Sequence, residues 1–194
     1  MEAGGVTVIA AVVAESGACI ACDSFGMDDG GVVDDHGTKL VKVSDDIVVG
    51  CAGSYLLITW WERFGRKLWK TAAEDGDAFC MQDWIEDTWQ EWIKWARNAG
   101  HGKLADDGAL LVPGTCIVVT PGLTTCCQGD GAVLRIQRFT AIGSGGELAL
   151  GSLYTSRDDG KSPVARVAGA VLAAIALHGA CGGDVHVMSV GDPK

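Results

Sequence analysis

Three chemically unlike residues recur at one interval along this chain. Sixteen residues separate Thr7 from Asp23, and sixteen more separate Asp23 from Lys39. Each stands at the edge of an apolar run: Thr7 opens "TVIAAVV", Asp23 closes "ACIACDS", and Lys39 opens "KLVKVSDDIVVGCAGS". The spacing predicts adjacent strands that carry all three residues to the same end of a sheet. A Gly-bearing turn, Ala52-Gly53-Ser54, follows fourteen residues after Lys39.

The runs 7–14 and 18–23, joined by Glu15-Ser16-Gly17, read as a hairpin. The acidic, Gly-rich stretch 24–38 reads as a hairpin or loop. A further hairpin pairs 39–43 with 47–52 around Ser44-Asp45-Asp46. "IVVGCAG" is apolar throughout, so both faces of that strand should be covered. Over 55–72, Leu56, Leu57, Trp60, Trp61, Phe64, Leu68 and Ala72 share one helix face while Glu62, Arg63, Arg66 and Lys70 share the other. A second helix is expected to begin with Asp83 as N-cap and Glu86 three residues on, and to end at Asn98-Ala99-Gly100. Strands resume at 109–112, 115–120, 123–128 and 132–137, punctuated by Pro-Gly and Gly-Asp-Gly turns. A short helix over 146–156 follows the loop "AIGSGG", and Ser162-Pro163 caps a longer one to about 178. A last strand is expected at 184–190. Two helix pairs covering two packed sheets make an α+β, four-layer αββα sandwich.

The 194 residues suffice for one domain with a substantial core. The formal net charge of −10 argues against nucleic acid and against anionic membrane surfaces, because both need clustered Lys and Arg. The N-terminus has no basic stretch of the kind that opens a signal peptide. The most apolar segment, 167–177, is too short to span a bilayer. Of the eight cysteines, Cys19, Cys22, Cys51, Cys116 and Cys181 lie in apolar runs, which suits free thiols in a reducing cytosol.

With these residues together, the chain resembles the proteasome β-subunit family and its bacterial relative, the HslV peptidase. These are N-terminal-nucleophile hydrolases, and the likeness covers nearly the whole chain. It implies a threonine-type peptidase in which Thr7 becomes the nucleophile once residues 1–6, a propeptide, are removed, leaving 7–194 as one proteasome-like domain. A freed Thr7 amine, with an ordinary pKa of roughly 7.7–8.0, is the base for its own hydroxyl. Lys39 keeps that amine neutral, and Asp23 keeps Lys39 charged and oriented. By the same resemblance the Gly53 N–H forms the oxyanion hole, and Ser144 supports the amine. The family further implies a homo-oligomeric ring, a peptide or unfolded-protein substrate, an ATP-dependent unfoldase as partner, a cytoplasmic location (or a virion, if phage-encoded), and no cofactor or metal. Two departures stand out. Val6 occupies the place before the Thr where family precursors carry Gly. In "LHGACGG", His178 and Cys181 occupy the places of an Asp and a Ser.

Rival readings are a catalytically silent structural or assembly protein of the same fold, and an amidase acting on a small amide. Cys51 and Ser144 are the alternative nucleophiles. Cys19-x-x-Cys22 is expected to point to opposite strand faces rather than bind zinc. His178, Cys181 and His186 are a weak metal-ligand set, and the Gly-Ser-Gly-Gly loop lacks the Lys-Ser/Thr of a phosphate-binding loop. Asp28-Asp29 and Asp34-Asp35 suit a solvated loop more than a pocket for basic residues. The seven Trp, concentrated in the first helix pair, are expected to pack on a sheet, with a surplus for subunit contact.

Overall fold

The computed structural model of the chain describes residues 6–28, 31–34, 37–74, 79–104 and 110–193. Strand β1 (Ile9–Ala14) turns at Glu15 and Ser16 into β2 (Gly17–Asp23), with Ile9 opposite Cys22. The short hairpin β3 (Gly26–Asp28) and β4 (Gly31–Asp34) follows. The side chains of both acidic pairs, Asp28-Asp29 and Asp34-Asp35, fall outside what is described. The next hairpin is β5 (Leu40–Ser44) with β6 (Ile47–Ala52).

Two helical stretches come next. The first is α1 (Tyr55–Trp60), a π-helical segment Trp61–Gly65, and α2 (Arg66–Glu74); Leu56, expected on the apolar face, is exposed, because Leu57 and Trp60 take the inward positions of that turn. A Cβ on Gly65 would come within 2.6 Å of the Trp61 ring, so the wide turn is filled by an indole against a glycine. The second is α3 (Met81–Asn98), which starts two residues before Asp83. Cys80 stands at its N-cap without a side-chain bond, and Asp83 lies in the first turn. There a carboxylate still favours the helix N-terminus, while Met81 packs against the apolar core and draws the helix back to itself.

The strands β7 (Lys103–Leu104) and β8 (Leu110–Leu111) pair with each other. Then come β9 (Thr115–Thr120), β10 (Leu123–Cys127), β11 (Val133–Arg135) and β12 (Phe139–Ile142). Strand β12 differs from the expected loop. "FTAI" is short and only half-buried, but it pairs with β1, Ile9 opposite Ile142, and covers the edge that β1 would otherwise expose. Helices α4 (Gly146–Thr155) and α5 (Pro163–Leu177) follow, with the Ser162 hydroxyl capping α5 by accepting from Ala165 N. Strand β13 (Val185–Gly191) closes the chain against β2.

One sheet runs β12-β1-β2-β13 and the other β11-β10-β9-β6-β5, both antiparallel throughout. Three apolar clusters organise them. Between the sheets lie Ile9, Ala11, Ile20 and Cys22 from one, and Leu40, Val48, Ile117 and Val119 from the other. On the outer face of the five-stranded sheet, Val41, Val49, Cys51 and Val118 pack beneath Trp60, Trp61, Trp89 and Trp92. On the outer face of the four-stranded sheet, Val8, Ala10, Cys19 and Ala21 pack beneath Leu153, Val167, Ala170 and Ala174. Cys19 and Cys22 therefore serve different cores, as period-two alternation requires. No helix among the described residues is long and apolar enough to cross a membrane.

Candidate active site

Strand direction explains why distant residues meet. The start of β1 lies beside the ends of its neighbours β2 and β12, because both are antiparallel to it. The start of β5 likewise lies beside the end of β6, where the Cys51 N–H donates to the Lys39 carbonyl at 3.0 Å. Packing the sheets face to face brings these ends together. Thr7 and Asp23 arrive on one sheet with the loop after β12, and Lys39 and Gly53 on the other, so the expected single sheet end is instead a meeting of two sheets, because the chain crosses to the facing sheet before β5.

Asp23 is fully buried, and Thr7 and Lys39 nearly so. Lys39 Nζ donates to Asp23 Oδ1 at 2.6 Å. The same oxygen accepts from the Val8 N–H at 2.9 Å, and Oδ2 accepts from the Gly182 N–H at 3.3 Å. A buried ion pair is tolerable when its spare lone pairs are satisfied in this way. Lys39 Nζ also donates to the Val6 carbonyl at 2.9 Å, and the Thr7 hydroxyl donates to that carbonyl at 2.5 Å. The carbonyl before Thr7 thus receives two donors, one of them cationic, which draws electron density from its carbon.

The loop after β12 wraps Thr7. Ser144 Oγ accepts from the Thr7 N–H and lies 3.2 Å from the Thr7 carbonyl, to which it also donates. That carbonyl accepts a further bond from the Gly145 N–H at 3.2 Å. Gly143 has φ +89°, and a Cβ there would lie 2.3 Å from the Thr7 carbonyl oxygen, so no other residue fits. Gly53, exposed at the end of β6, has φ +100°, and its Cβ would meet the Gly114 backbone at 2.9 Å. Glycine is required there by the backbone and by Gly114, besides any need for substrate approach.

Two hollows open at the site, and Thr7 lines the first of them. A pocket of only about 10 Å³ lies on the Lys39 side, with Cys51, Tyr55 and Ile58 in its wall. A cleft of about 420 Å³ opens on the Ser144 side. Gly53 lines both.

Cys181 is buried beside this loop. Burial raises its thiol pKa and the Asp23 carboxylate pushes the same way, partly offset by the Ser144 hydroxyl, Lys39 and the Gly145 N–H. His178 Nδ1 accepts from the Ala180 N–H at 3.2 Å and lies 3.9 Å from Cys181 Sγ. Burial holds the Cys51 thiol well above its ordinary range, so Cys51 makes a poor nucleophile. Among the described residues, no group of three or more His, Cys, Asp or Glu is placed to hold a metal ion.

The structure thus brings together Thr7, Asp23, Lys39, Gly53 and Ser144. Sequence reasoning missed the backbone partners: the Val6 carbonyl and the N–H groups of Val8, Gly145 and Gly182. Backbone groups carry no residue signature, and only the glycines hinted at close approach.

No family model matches the sequence, and no curated protein matches it. Solved structures do. Thiobacillus denitrificans BPH in complex with epoxomicin is 19% identical with a TM-score of 0.74, over 95% of this chain and 98% of that one. A second structure of Thiobacillus denitrificans BPH is 19% identical with a TM-score of 0.75, over 96% and 100%. Eukaryotic HslV from Trypanosoma brucei is 21% identical with a TM-score of 0.72, over 95% and 99%. The chain has the proteasome/HslV-type fold.

Proposed function

We propose that the chain is a threonine-type peptidase of the proteasome/HslV class, with Thr7 as nucleophile after the Val6–Thr7 bond is cut. Residues 1–6 are then a propeptide and 7–194 the working domain, and the three apolar clusters are the seams of a four-layer αββα sandwich. The observation that carries the reading is the meeting of the Thr7 hydroxyl and the Asp23-bound Lys39 ammonium on one carbonyl, that of Val6.

The mechanism follows from the groups in reach. In the uncut chain the Thr7 nitrogen is an amide and accepts no proton at neutral pH. Once freed, it is an amine held by Ser144 and takes the proton from Thr7 Oγ1 as that oxygen attacks a substrate carbonyl carbon. Lys39, anchored by Asp23, disfavours protonation of the amine beforehand. The Gly53 N–H is the donor for the tetrahedral oxyanion. The ammonium then gives its proton to the departing substrate nitrogen, leaving an ester on Thr7, which water hydrolyses to the acid with return of the proton to Oγ1. By likeness to HslV, we place the working form in a homo-oligomeric ring fed by an ATP-dependent unfoldase in the cytoplasm. No metal or cofactor takes part in this scheme.

The test is a protein beginning at Thr7, released from a removable N-terminal fusion. It is expected to hydrolyse peptide amides, and Thr7→Ala and Lys39→Ala each to lower kcat/KM by orders of magnitude. The uncut chain is expected to be inert. A second reading, a silent structural protein of the same fold, draws on Val6 before the nucleophile and on His178 and Cys181 near the site. It prevails if the folded, Thr7-initiated protein is as inert as the uncut one.

A further inference from the structure

The stretch between α5 and β13, residues 178–184, reaches the site at two points. The Gly182 N–H donates to Asp23 Oδ2 at 3.3 Å. One residue earlier, the Cys181 thiol packs against the loop that grips Thr7, where a Cβ on Gly145 would lie 2.6 Å from Cys181 Sγ. The contact with the end of β2 runs both ways. The Phe25 N–H donates back to the Gly182 carbonyl at 3.2 Å, and the Asp184 N–H donates to Ser24 Oγ at 2.8 Å. The stretch is a brace laid along residues 23–25.

The brace fixes the plane of the Asp23 carboxylate. Lys39 Nζ and the Val8 N–H both take Oδ1, and the Gly182 N–H takes Oδ2. Asp23 is fully buried, and a buried carboxylate oxygen that loses a donor is costly. If the Gly182 N–H turned away, the carboxylate would rotate towards other donors, and Oδ1 would leave its line to Lys39.

A turn aims that N–H, and the turn closes on a histidine. Helix α5 ends at His178, whose own N–H donates to the Ala174 carbonyl at 2.8 Å. The His178 carbonyl accepts from the Cys181 N–H at 3.0 Å, and its Nδ1 accepts from the Ala180 N–H at 3.2 Å. A side chain that accepts from the N–H two residues on makes the closure of an Asx turn, here with an imidazole in place of a carboxamide. To accept at Nδ1 the ring carries its proton on Nε2. Ring bulk without that lone pair would leave the turn open.

We propose that His178 is a positioning residue: its Nδ1 closes the turn that aims the Gly182 N–H at Asp23 and so holds Lys39 in place. It acts through Gly182, Asp23 and Lys39 in turn. Its effect on turnover rests on the peptidase reading above, whereas the turn itself does not.

Two measurements decide it, and the first needs no turnover. In the full chain, amide exchange at Gly182 is followed by NMR beside that of Trp92, buried in α3, for the wild type, His178→Ala, His178→Phe and His178→Asn. Alanine removes the acceptor, phenylalanine keeps a ring without it, and asparagine restores an acceptor for the N–H two residues on. Expected is Gly182 exchange about fivefold to tenfold faster with Ala and Phe, the factor that one hydrogen bond supplies, with Asn close to wild type and Trp92 unchanged throughout. The second is peptide cleavage by the Thr7-initiated forms of the same four proteins. Strands and helices all begin after residue 8, so removing residues 1–6 leaves every element whole. With Ala and Phe, kcat is expected to fall about fivefold to tenfold while KM stays within about twofold, and Asn is expected to restore it. Unchanged Gly182 exchange with Ala and Phe overturns the proposal, and so does Asn behaving like Ala. Trp92 exchange quickened as much as Gly182 means general loosening and overturns it too. The same holds for quickened Gly182 exchange with kcat intact, or with the loss confined to KM. If none of the four cleaves, wild type included, while exchange follows the expected order, the turn assignment stands and the peptidase reading falls instead.

Discussion

The two helix-covered faces of this molecule are built from opposite materials. Over the five-stranded sheet, indoles fill the space: Trp61, Trp89 and Trp92 are fully buried, and the Trp60 and Trp92 rings meet at 5.7 Å. Over the four-stranded sheet the fillers are small, with Ala10, Ala21, Ala149, Ala170 and Ala174 all buried. Large side chains hold helices away from a sheet, and small ones let them approach. The difference shows at Gly145 in the loop that grips Thr7, where a Cβ would lie 2.9 Å from the Ala174 Cβ and 3.1 Å from the Val8 Cβ. The alanine face clamps the site's threonine, while the tryptophan face supplies bulk and, through Cys51, a wall of the small pocket.

The comparison breaks most decisively by emptying the tryptophan face. Trp92→Ala is expected to cost about 3–5 kcal/mol of stability, read as a fall in denaturant midpoint. A cost under about 1 kcal/mol means that this face is loosely packed. The opposite change probes the opposite face. Ala174→Leu is expected to lose about 1–3 kcal/mol by overpacking and to lower activity beyond that loss, because it presses on Gly145 and hence on Thr7. If stability falls and kcat stays intact, the clamp is not coupled to the site.

The smallest expected effect is a graded order of thiol alkylation, mapped peptide by peptide. Exposed Cys80 is expected to react first. Cys19 and Cys181, on the alanine face, have raised pKa values chiefly through burial. On the tryptophan face, Cys51 and Cys116 are pushed well above the ordinary range by burial, so they are expected to react last. Between the sheets, burial lifts Cys22 to about 11 from 9.0. Its thiol form favours the folded state. That contribution is fully present below pH 9 and is lost as pH rises towards 11, so Tm is expected to fall across that window. Labelling of Cys51 ahead of Cys181 reverses the assignment of the tighter face.

Hairpins and helix faces were legible because alternation and 3.6-residue periodicity record burial directly. Thr7 and Asp23 were legible because a hairpin returns the chain to one end of a sheet, whereas Lys39 opens a strand of the facing sheet and reaches them only through sheet packing. Two features were not. "FTAI" carries too little apolar signal to be read as β12 without knowing that β1 needs a partner on that edge. The start of α3 followed the packing of Met81 rather than the capping preference of Asp83, since tertiary contacts override local propensity. The small hollow beside Thr7 depends on where Cys51 and Ile58 settle, and no residue spacing encodes that.

The Lys39–Asp23 contact joins residues from different sheets. Among the described residues no backbone ladder crosses that seam, and the two sheets are registered by interdigitating side chains such as Ile20 and Ile117. The site is therefore a gauge of alignment. A slip of 1 Å between the sheets would stretch a 2.6 Å contact to the limit of a hydrogen bond, while each sheet stayed whole. A force on either helical layer that shears the sheets past one another would detune Lys39 without unfolding a single strand.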